Sequence, residues 1–306
     1  MTRTLTITSR GRTAMLTCHV GMLSGRLRRN SRAAVRECVD AAAARIEVDV
    51  HSLDGPDYIV SHERRLERET TGRGSIGSAT PHAVLAVRFL DDPDDRPALL
   101  SEIVAMMRGS RMQLQLDLKD WRPLRDERLR VLLDLIAPIK QQVIVSAGED
   151  WNLRLLHRAD PELAIGFDPG RYIGWGHDGE PDFLPRTRGA YGYFDDHPLA
   201  IGRTETPADY LRARMEALAF QCPASREMFL DHRLILQMLE DGFNPAAWLH
   251  EHDSEVTVWT VDYAGADSMR IVERLIAAGV DRITTNTPLA WVDAFETTAP
   301  TKEQKA

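Results

Sequence analysis

The sequence predicts an α/β fold in which eight parallel strands close into a (β/α)8 barrel, and two observations lead to this prediction. Short apolar runs alternate with amphipathic helical segments along the chain of 306 residues, and such alternation is typical of a parallel sheet covered by helices. The strand-like runs, eight in all, begin near residues 14, 45, 112, 141, 162, 227, 255 and 281. Barrel enzymes carry their active sites at the carboxyl ends of the strands, so the polar residues there are the candidates for function.

The first elements follow from local signals. Residues 4–16, "TLTITSRGRTAML", predict a short hairpin with Gly11 in its turn, which plugs or flanks the floor of the barrel. The run "AMLTCHV" from residue 14 is the first barrel strand, and "SRAAVRECVDAAAA" from residue 31 is the helix after it. A pair of strands is then predicted over residues 45–62.

The later elements repeat a helix followed by a strand. Helical "RPALLSEIVAMMRG" precedes the strand "MQLQLDLK", helical "LRDERLRVLLDLIAPI" precedes "QQVIVSA", and helical "DWNLRLLHRA" precedes "ELAIGFD". The last three strands are "EMFLD", "EVTVWTVD" and "DRITTN", with helices between and after them. Connections of this kind place neighbouring strands parallel, which supports the barrel.

One long segment departs from the regular alternation. Residues 169–225, after the fifth strand, form an insertion that is rich in Gly, Tyr and Trp. Long connections in compact domains are usually functional lids or else disordered, and the aromatic content favours a lid, with a satellite core under a long loop as the alternative. The aromatic residues concerned are Tyr172, Trp175, Tyr191, Tyr193 and Phe194. Residues 1–296 are predicted to form a single domain, and residues 297–306 a frayed tail.

Composition excludes several classes of protein. The net charge of −8 argues against a general nucleic-acid-binding protein, which normally shows a basic face. Cys18, Cys38 and Cys222 are scattered and have the spacing of neither a disulfide framework nor a zinc site, which suits a reducing compartment. Neither a signal-peptide pattern nor an apolar stretch of membrane-spanning length is found. We therefore expect a cytoplasmic protein without membrane insertion, and the oligomeric state stays open.

Ionisable residues stand at the ends of the predicted strands. Glu47, Asp49 and His51 alternate with apolar residues, and side chains on a strand alternate between its two faces. Carboxylates that share the inward face repel each other unless a cation neutralises them, and Mg²⁺ or Ca²⁺ prefers such oxygen ligands. The other strand-end residues are His19, Asp117, Asp168, Asp231, Asp262 and Asn286.

Four residues at or near the strand ends could act together with this acidic pair. Asp117 adds a third carboxylate, and Lys119 shares its face and brings a positive charge suited to a phosphate. His19 and His62 end their own strands at the same rim, where they could serve as base and acid at a phosphorus centre. Taken singly, an acidic pair is usually a solvated face and a lone histidine is usually structural. Their coincidence on one rim favours a metal-dependent hydrolase or lyase.

As an ordered set, these residues resemble the glycerophosphodiester phosphodiesterase family. That family's pattern begins with His-Arg-Gly and an Asn that opens the first helix, continues with Glu-x-Asp, His-Asp and Glu-x-Lys, and ends with two late motifs. The counterparts here are "HVG" at 19–21, "NS" at 30–31, "EVD" at 47–49, "HE" at 62–63, "DLK" at 117–119, "VWTV" at 258–261 and "GVDRITTNTP" at 279–288. The resemblance spans nearly the whole chain, apart from the N-terminal hairpin and part of the insertion.

The resemblance implies a TIM barrel that acts on a small-molecule phosphodiester with the help of one divalent cation, Mg²⁺ or Ca²⁺. The implied ligands of that cation are Glu47, Asp49 and Asp117. His19 and His62 would form the acid–base pair, Lys119 would contact the phosphate, and Trp259 would pack beside the substrate.

The departures from the family pattern concern the substrate. Val20 stands where the family has an arginine, and Asp117 is one methylene shorter than the usual glutamate. An arginine binds phosphate through two parallel hydrogen bonds, which Lys119, a point charge, does not imitate. We therefore expect an arginine of the run "GRLRRNSR" to replace it, and we assign Arg28 to substrate binding.

The leading hypothesis is a metal-dependent phosphodiesterase for a soluble glycerol- or sugar-type diester. A neighbouring substrate hydroxyl would attack phosphorus, and water would open the resulting cyclic phosphate to a phosphomonoester. Asp-x-Lys with a downstream Trp is also similar to sphingomyelinase D-type phospholipases, so release of the cyclic phosphate is the alternative. Val20 prompts a third hypothesis, a catalytically inactive sugar-phosphate-binding barrel.

Overall fold

The computed structural model describes residues 5–175 and 187–298, and a closed parallel barrel of eight strands lies at its centre. The strands are β1 (Thr6–Ser9), β2 (Arg12–Cys18), β3 (Arg45–Ser52), β4 (Tyr58–Val60), β5 (Gln113–Leu118), β6 (Val143–Ala147), β7 (Ala164–Phe167), β8 (Ile173–Gly174), β9 (Thr187–Arg188), β10 (Phe194–Asp195), β11 (Glu227–Asp231), β12 (Glu255–Trp259) and β13 (Arg282–Thr285). The barrel runs β2, β3, β5, β6, β7, β11, β12, β13, and pairing of β13 and of β3 with β2 closes it. The predicted fold is therefore confirmed.

Helices cover the outside of the barrel. They are α1 (Arg32–Asp40), α2 (Pro81–Ala86), α3 (Leu100–Met107), α4 (Asp126–Ile136), α5 (Asp150–Ala159), α6 (Pro207–Gln221), α7 (His232–Glu240), α8 (Pro245–His250), α9 (Ala266–Ala278) and α10 (Pro288–Thr298). Several begin at a residue whose side chain accepts a hydrogen bond from the first turn, as Ser31 does for α1 and Thr206 for α6. Within the described ranges, no helix has both the length and the apolar character needed to cross a lipid bilayer.

Strand β3 is buried on both faces, which explains its unusual composition. Ile46, Val48 and Val50 are fully buried in the core between the barrel and its helices. The alternate residues, among them Glu47 and Asp49, face the barrel interior and are almost as inaccessible to solvent. Burial of apolar groups on the outer face stabilises a strand whose inner face carries charge.

The N-terminal hairpin forms as predicted. β1 pairs antiparallel with β2, with Ser9 opposite Arg12, so the connecting turn has two residues, Arg10 and Gly11. Both have positive φ, 49° and 80°, which matches the turn type that suits the twist of a hairpin. This turn precedes the start of β2 and therefore lies at the floor of the barrel, opposite the carboxyl ends of the strands.

The segment after β7 is more structured than an extended loop. A small antiparallel sheet of β8, β10 and β9 forms first, and the helix α6 then returns the chain to the barrel. Residues 176–186 of the predicted insertion lie outside the described residues. At the other end of the chain, α10 continues through Thr298, and residues 299–306 of the predicted tail also lie outside the described residues.

Candidate active site

A cavity of about 460 Å³ opens at the carboxyl ends of the barrel strands. Its size is in the range of pockets that hold small molecules. The residues lining it are His19, Val20, Arg29, Asn30, Glu47, Asp49, His62, Glu63, Gln115, Asp117, Lys119, Ser146, Asp168, Phe229, Trp259, Thr260 and Thr284. Both predicted histidines and all three predicted carboxylates are therefore brought into one pocket.

Three carboxylates form a compact cluster on β3 and β5. Asp49 lies opposite Asp117 in the register of these strands, and Glu47 precedes Asp49 by one inward position. Ligand oxygens of the three residues lie within 4.8 Å of one another. Burial, and then the charges of Asp49 and Asp117, hold the pKa of Glu47 well above its usual range. A group of hard oxygen donors that repel one another fits a divalent cation such as Mg²⁺ or Ca²⁺.

Hydrogen bonds from the loop after β2 orient two of these carboxylates. The N–H of Val20 donates to Oε2 of Glu47 at 2.8 Å, and Nδ2 of Asn30 donates to Oδ2 of Asp49 at 2.8 Å. Val20 adopts the left-handed conformation (φ 49°, ψ 31°), which is rare for a β-branched residue and directs its N–H into the pocket. Asn30, also at positive φ (54°), tolerates this conformation more easily. Groups that fix carboxylates in this way are typical of metal sites.

Lys119 lies between two of the acids. Its Nζ is 2.6 Å from Oδ2 of Asp117 and 3.0 Å from Oδ1 of Asp49. Burial lowers the pKa of Lys119, but the charges of Asp117 and Asp49 outweigh it and raise that pKa well above its usual value. The ammonium group therefore stays charged and offsets part of the negative charge of the cluster.

His19 is held by a chain of hydrogen bonds that ends at Asp262. Its Nδ1 is 2.8 Å from Oδ1 of Asn286, and the Nδ2 of Asn286 donates to Oδ2 of Asp262 at 2.9 Å. An amide oxygen only accepts hydrogen bonds, so Nδ1 of His19 carries the proton. The other ring nitrogen, Nε2, is then unprotonated in the neutral ring, faces Glu47 at 3.9 Å and is free to accept a proton.

His62 is more exposed than His19 and is held less tightly. Its side chain is 59% exposed, and its Nδ1 lies 3.5 Å from Oε1 of Glu63. His51, which the sequence placed on the same face as Glu47, lies nearby, and its Nε2 is 3.4 Å from the carbonyl oxygen of His62. This arrangement leaves the imidazole of His62 at the mouth of the pocket, beside the carboxylate cluster.

The two remaining predicted contacts have different outcomes. Trp259 ends β12 and lines the pocket, and its Nε1–H has no hydrogen-bond partner among the described residues. Arg28 lies outside the pocket, because its guanidinium packs on Phe89 at 3.4 Å and pairs with Asp91 at 2.7 Å. Its neighbour Arg29 lines the pocket instead.

The aromatic residues of the 169–225 segment pack mainly on one another. Tyr193 is fully buried, its ring is 5.3 Å from that of Trp175, and Tyr191 packs 4.5 Å from Tyr210 on α6. None of these rings is among the described residues that line the pocket. This packing matches the alternative interpretation, a satellite core.

The strand-end residues divide into three groups. Asp168 lines the pocket, and burial raises its pKa to about 7. Asp262 and Asn286 lie behind His19 and were named from the sequence without a role. Asp231 lies outside the pocket, where it caps α7 and pairs with Arg233 at 2.8 Å. Gln115, Ser146 and Thr284 were missed, because uncharged residues inside a strand carry no signal that separates them from other barrel positions.

Comparison with known proteins agrees with this geometry. Residues 19–290 match the model of the glycerophosphoryl diester phosphodiesterase family. No curated protein sequence matches the chain. The matched region runs from His19 to beyond Asn286, so it contains every residue of the pocket.

Solved structures show the same fold. A crystal structure assigned as a glycerophosphodiester phosphodiesterase, from Galdieria sulphuraria, has a TM-score of 0.68 at 16% identity and covers 94% of this chain and 100% of that one. Another with the same assignment, from Silicibacter pomeroyi, has a TM-score of 0.66 at 15% identity and covers 96% of both chains. An Oleispira antarctica phosphodiesterase in complex with the product sn-glycerol-3-phosphate has a TM-score of 0.61 at 14% identity and covers 92% of this chain and 96% of that one.

The family match extends over most of the sequence, and the barrel is the fold that this chain shares with these structures. The chain therefore belongs to the glycerophosphoryl diester phosphodiesterase family, whose members are phosphoric diester hydrolases.

Proposed function

We propose that this protein is a metal-dependent phosphodiesterase that hydrolyses a soluble glycerol- or sugar-type phosphodiester to a phosphomonoester and an alcohol. One observation carries the proposal. Three carboxylates with ligand atoms within 4.8 Å of one another share a pocket with two histidines. That combination supplies a cation site and two proton-transfer groups at the same place.

The proposed ligands of the cation are Glu47, Asp49 and Asp117. When bound, the cation would lower the pKa of a substrate hydroxyl and offset charge on the phosphate oxygens. The N–H of Val20 and the side chain of Asn30 would keep two of these carboxylates in place. Lys119, which bridges Asp49 and Asp117, would face the phosphate from the same side.

The two histidines would divide the proton transfers. His19 fits the role of base, because its Nδ1–H is held by Asn286 and its Nε2 is free to take the proton of an attacking hydroxyl. His62 fits the role of acid, because it lies at the mouth of the pocket, where the departing alcohol would leave. A hydroxyl next to the ester would attack phosphorus, the bond to the departing alcohol would break, and water would then open the cyclic phosphate.

The proposed substrate follows from the family and from one related structure. The phosphodiesterase from Oleispira antarctica holds sn-glycerol-3-phosphate as a product. The cavity of about 460 Å³ in this protein has room for a phosphate with a small polyol or sugar on each side. The buried free thiols of Cys18, Cys38 and Cys222 support a reducing compartment, which we propose to be the cytoplasm.

A substrate panel tests the proposal. Phosphodiesters with glycerol, choline, ethanolamine, lipid and sugar groups would be incubated with Mg²⁺, Ca²⁺ or Mn²⁺, and the products followed by ³¹P NMR. A phosphomonoester is the expected end product from a glycerol or sugar diester. Accumulation of a cyclic phosphate would instead identify a lyase, and failure to cleave any diester would identify an inactive binding barrel.

Two substitutions test the role of the cluster. Glu47→Gln and Asp49→Asn each remove one negative ligand, so activity should fall at least about a hundredfold. Glu162→Gln changes a carboxylate that is 77% exposed and far from the pocket, and it should keep full activity. Full wild-type turnover after exhaustive EDTA treatment, with no metal found by elemental analysis, would disprove metal dependence.

A further inference from the structure

The pocket is acidic, although the proposed substrate is an anion. Among the described residues that line it, five are acidic (Glu47, Asp49, Glu63, Asp117 and Asp168) and two are lysine or arginine. A divalent cation bound to the three carboxylates would offset only part of this excess of negative charge. A phosphodiester therefore needs a further positive group if it is to be bound rather than repelled.

Lys119 is poorly placed to fill this need alone. Its ammonium group lies 2.6 Å from Asp117 and 3.0 Å from Asp49, so its charge is largely matched by the cluster itself. An ammonium also acts as a point charge, whereas a guanidinium offers two parallel donors to a phosphoryl group. Among the described residues that line the pocket, Arg29 is the other lysine or arginine.

The backbone around Arg29 is anchored to the carboxylate cluster. The N–H of Asn30 donates to the carbonyl of Val20 at 2.8 Å, and the side chain of Asn30 donates to Asp49 at 2.8 Å. On the other side, Nη1 of Arg28 donates to the carbonyl of Arg29 at 3.0 Å. The Cα of Arg29 is thus held at the rim, one residue from a group that touches a proposed metal ligand.

The side chain of Arg29, in contrast, is free to reach an anion. It is 61% exposed, and its nearest acid is Glu69, at 3.7 Å between Nη2 and Oε1. That distance is too long for a hydrogen bond. Glu69 is in addition close to Arg28, at 3.4 Å, and accepts a hydrogen bond from Ser61 at 3.3 Å. Arg29 can therefore exchange this loose contact for a phosphoryl group at little cost.

We propose that Arg29 binds a non-bridging oxygen of the substrate phosphate and is the residue of this pocket that favours anionic ligands. Arg28, the neighbouring arginine, is 8% exposed at its side chain and is taken up by Phe89 and Asp91. Arg26 is exposed on the same loop but does not line the pocket. This inference rests on the proposed function, since it assigns the phosphate contact of that reaction.

Binding of sn-glycerol 3-phosphate, measured by calorimetry in the presence of Mg²⁺ or Ca²⁺, provides the test. In Arg29→Gln, the Kd should rise about ten- to a hundredfold, the loss expected for hydrogen bonds to a charged group. Arg29→Lys should lie between Arg29→Gln and the wild type, because it keeps the charge and loses the paired donors. Arg26→Gln removes the same charge from the same loop and should change the Kd less than about twofold.

Steady-state kinetics on a glycerophosphodiester give a second readout. Arg29→Gln should raise KM by a similar factor and change kcat less than about threefold, because the contact is made in both the bound and the reacting state. The dependence of KM on ionic strength should also weaken in this variant. The inference would be overturned if Arg29→Gln and Arg26→Gln changed the Kd equally, or if neither substitution changed the affinity for sn-glycerol 3-phosphate.

The two proposals fail in different ways. If the wild type cleaves no diester but binds sn-glycerol 3-phosphate through Arg29, the proposed function is wrong and only the phosphate-binding role of Arg29 holds. If the wild type cleaves glycerol diesters and Arg29→Gln matches it in Kd and KM, the function holds and the inference is wrong.

Discussion

Asn286 shows how one uncharged residue can decide the role of another at the active site. Its amide accepts from Nδ1 of His19 and donates to Asp262, and its backbone N–H also donates to Asp262 at 2.7 Å. Asp262 thus fixes the orientation of the Asn286 amide, and that amide fixes the orientation of the His19 ring. The consequence is a tautomer of the neutral ring in which Nε2 of His19 faces the pocket and carries no proton, as a base requires.

Replacement of Asn286 by Leu should therefore reduce kcat by about ten- to a hundredfold, the range typical of groups that orient a functional residue. KM should change little, because Asn286 does not line the pocket. Asp231→Ala is a suitable control, since it removes a strand-end aspartate that caps α7 outside the pocket. That variant should lose about 1 kcal/mol of stability and keep its kcat. A kcat for Asn286→Leu within twofold of the wild type would show that His19 needs no such support.

At the level of the strands, a buried ion pair joins distant parts of the barrel floor. Arg45 on β3 donates to both carboxylate oxygens of Glu227 on β11, at 2.6 and 2.9 Å, and both side chains are nearly inaccessible to solvent. Thr257 on β12 also donates to Glu227. Below the active site, the inside of the barrel therefore contains a buried group of charged and polar side chains.

Removal of Arg45 should be costly, because Glu227 would remain buried with only the hydroxyl of Thr257 and the more distant guanidinium of Arg282, at 3.8 Å, as partners. Arg45→Met is expected to lower the free energy of unfolding by about 3–5 kcal/mol, measured by urea denaturation. Arg274→Met removes a partner of an exposed pair with Glu240, at 3.1 Å, and should cost less than about 1 kcal/mol. The double substitution of Arg45→Met with Glu227→Leu should recover part of the loss. Similar losses for the buried and exposed single variants would contradict this account.

At the scale of the molecule, closure of the barrel is what assembles the site. His19 follows the first barrel strand and Asn286 the last, so these hydrogen-bonded residues are 267 positions apart. Glu47 and Asp117 come from the adjacent strands β3 and β5, between which the chain forms β4, α2 and α3. The unfolded chain does not hold these groups together, so binding of a cation to the cluster should be coupled to folding.

Addition of Mg²⁺ or Ca²⁺ should consequently stabilise the folded protein. At an ion concentration of a hundred times Kd, the expected gain is about 2.7 kcal/mol, seen as a higher Tm in differential scanning fluorimetry. The gain should be absent in Glu47→Gln and present in Glu162→Gln, whose side chain is exposed. Equal increases of Tm in the wild type and in Glu47→Gln would mean that the ion acts elsewhere on the protein.

Much of the architecture was predictable because it follows from short-range patterns. Period-two alternation on β3 placed Glu47 and Asp49 on one face, and the end of the next major strand added Asp117, which the structure brings opposite Asp49. The sequence predicted a hairpin with Gly11 in its turn, and the structure forms that turn with Arg10 and Gly11 at positive φ. Strand order, strand ends and the acidic cluster depend on periodicity and on the rule that parallel strands end at one rim.

The sequence by itself determined the barrel, its N-terminal hairpin and the acidic residues at the strand ends, because side-chain alternation and helix–strand order are local properties of the chain. Only the tertiary structure decided that Arg29 rather than Arg28 lines the pocket, that Asn286 orients His19, and that the rings of Tyr191 and Tyr193 pack inward. Direction of a side chain on an irregular loop depends on which distant groups pack around it. Phe89 and Asp91 draw Arg28 away from the pocket, and no pattern within "GRLRRNSR" specifies them.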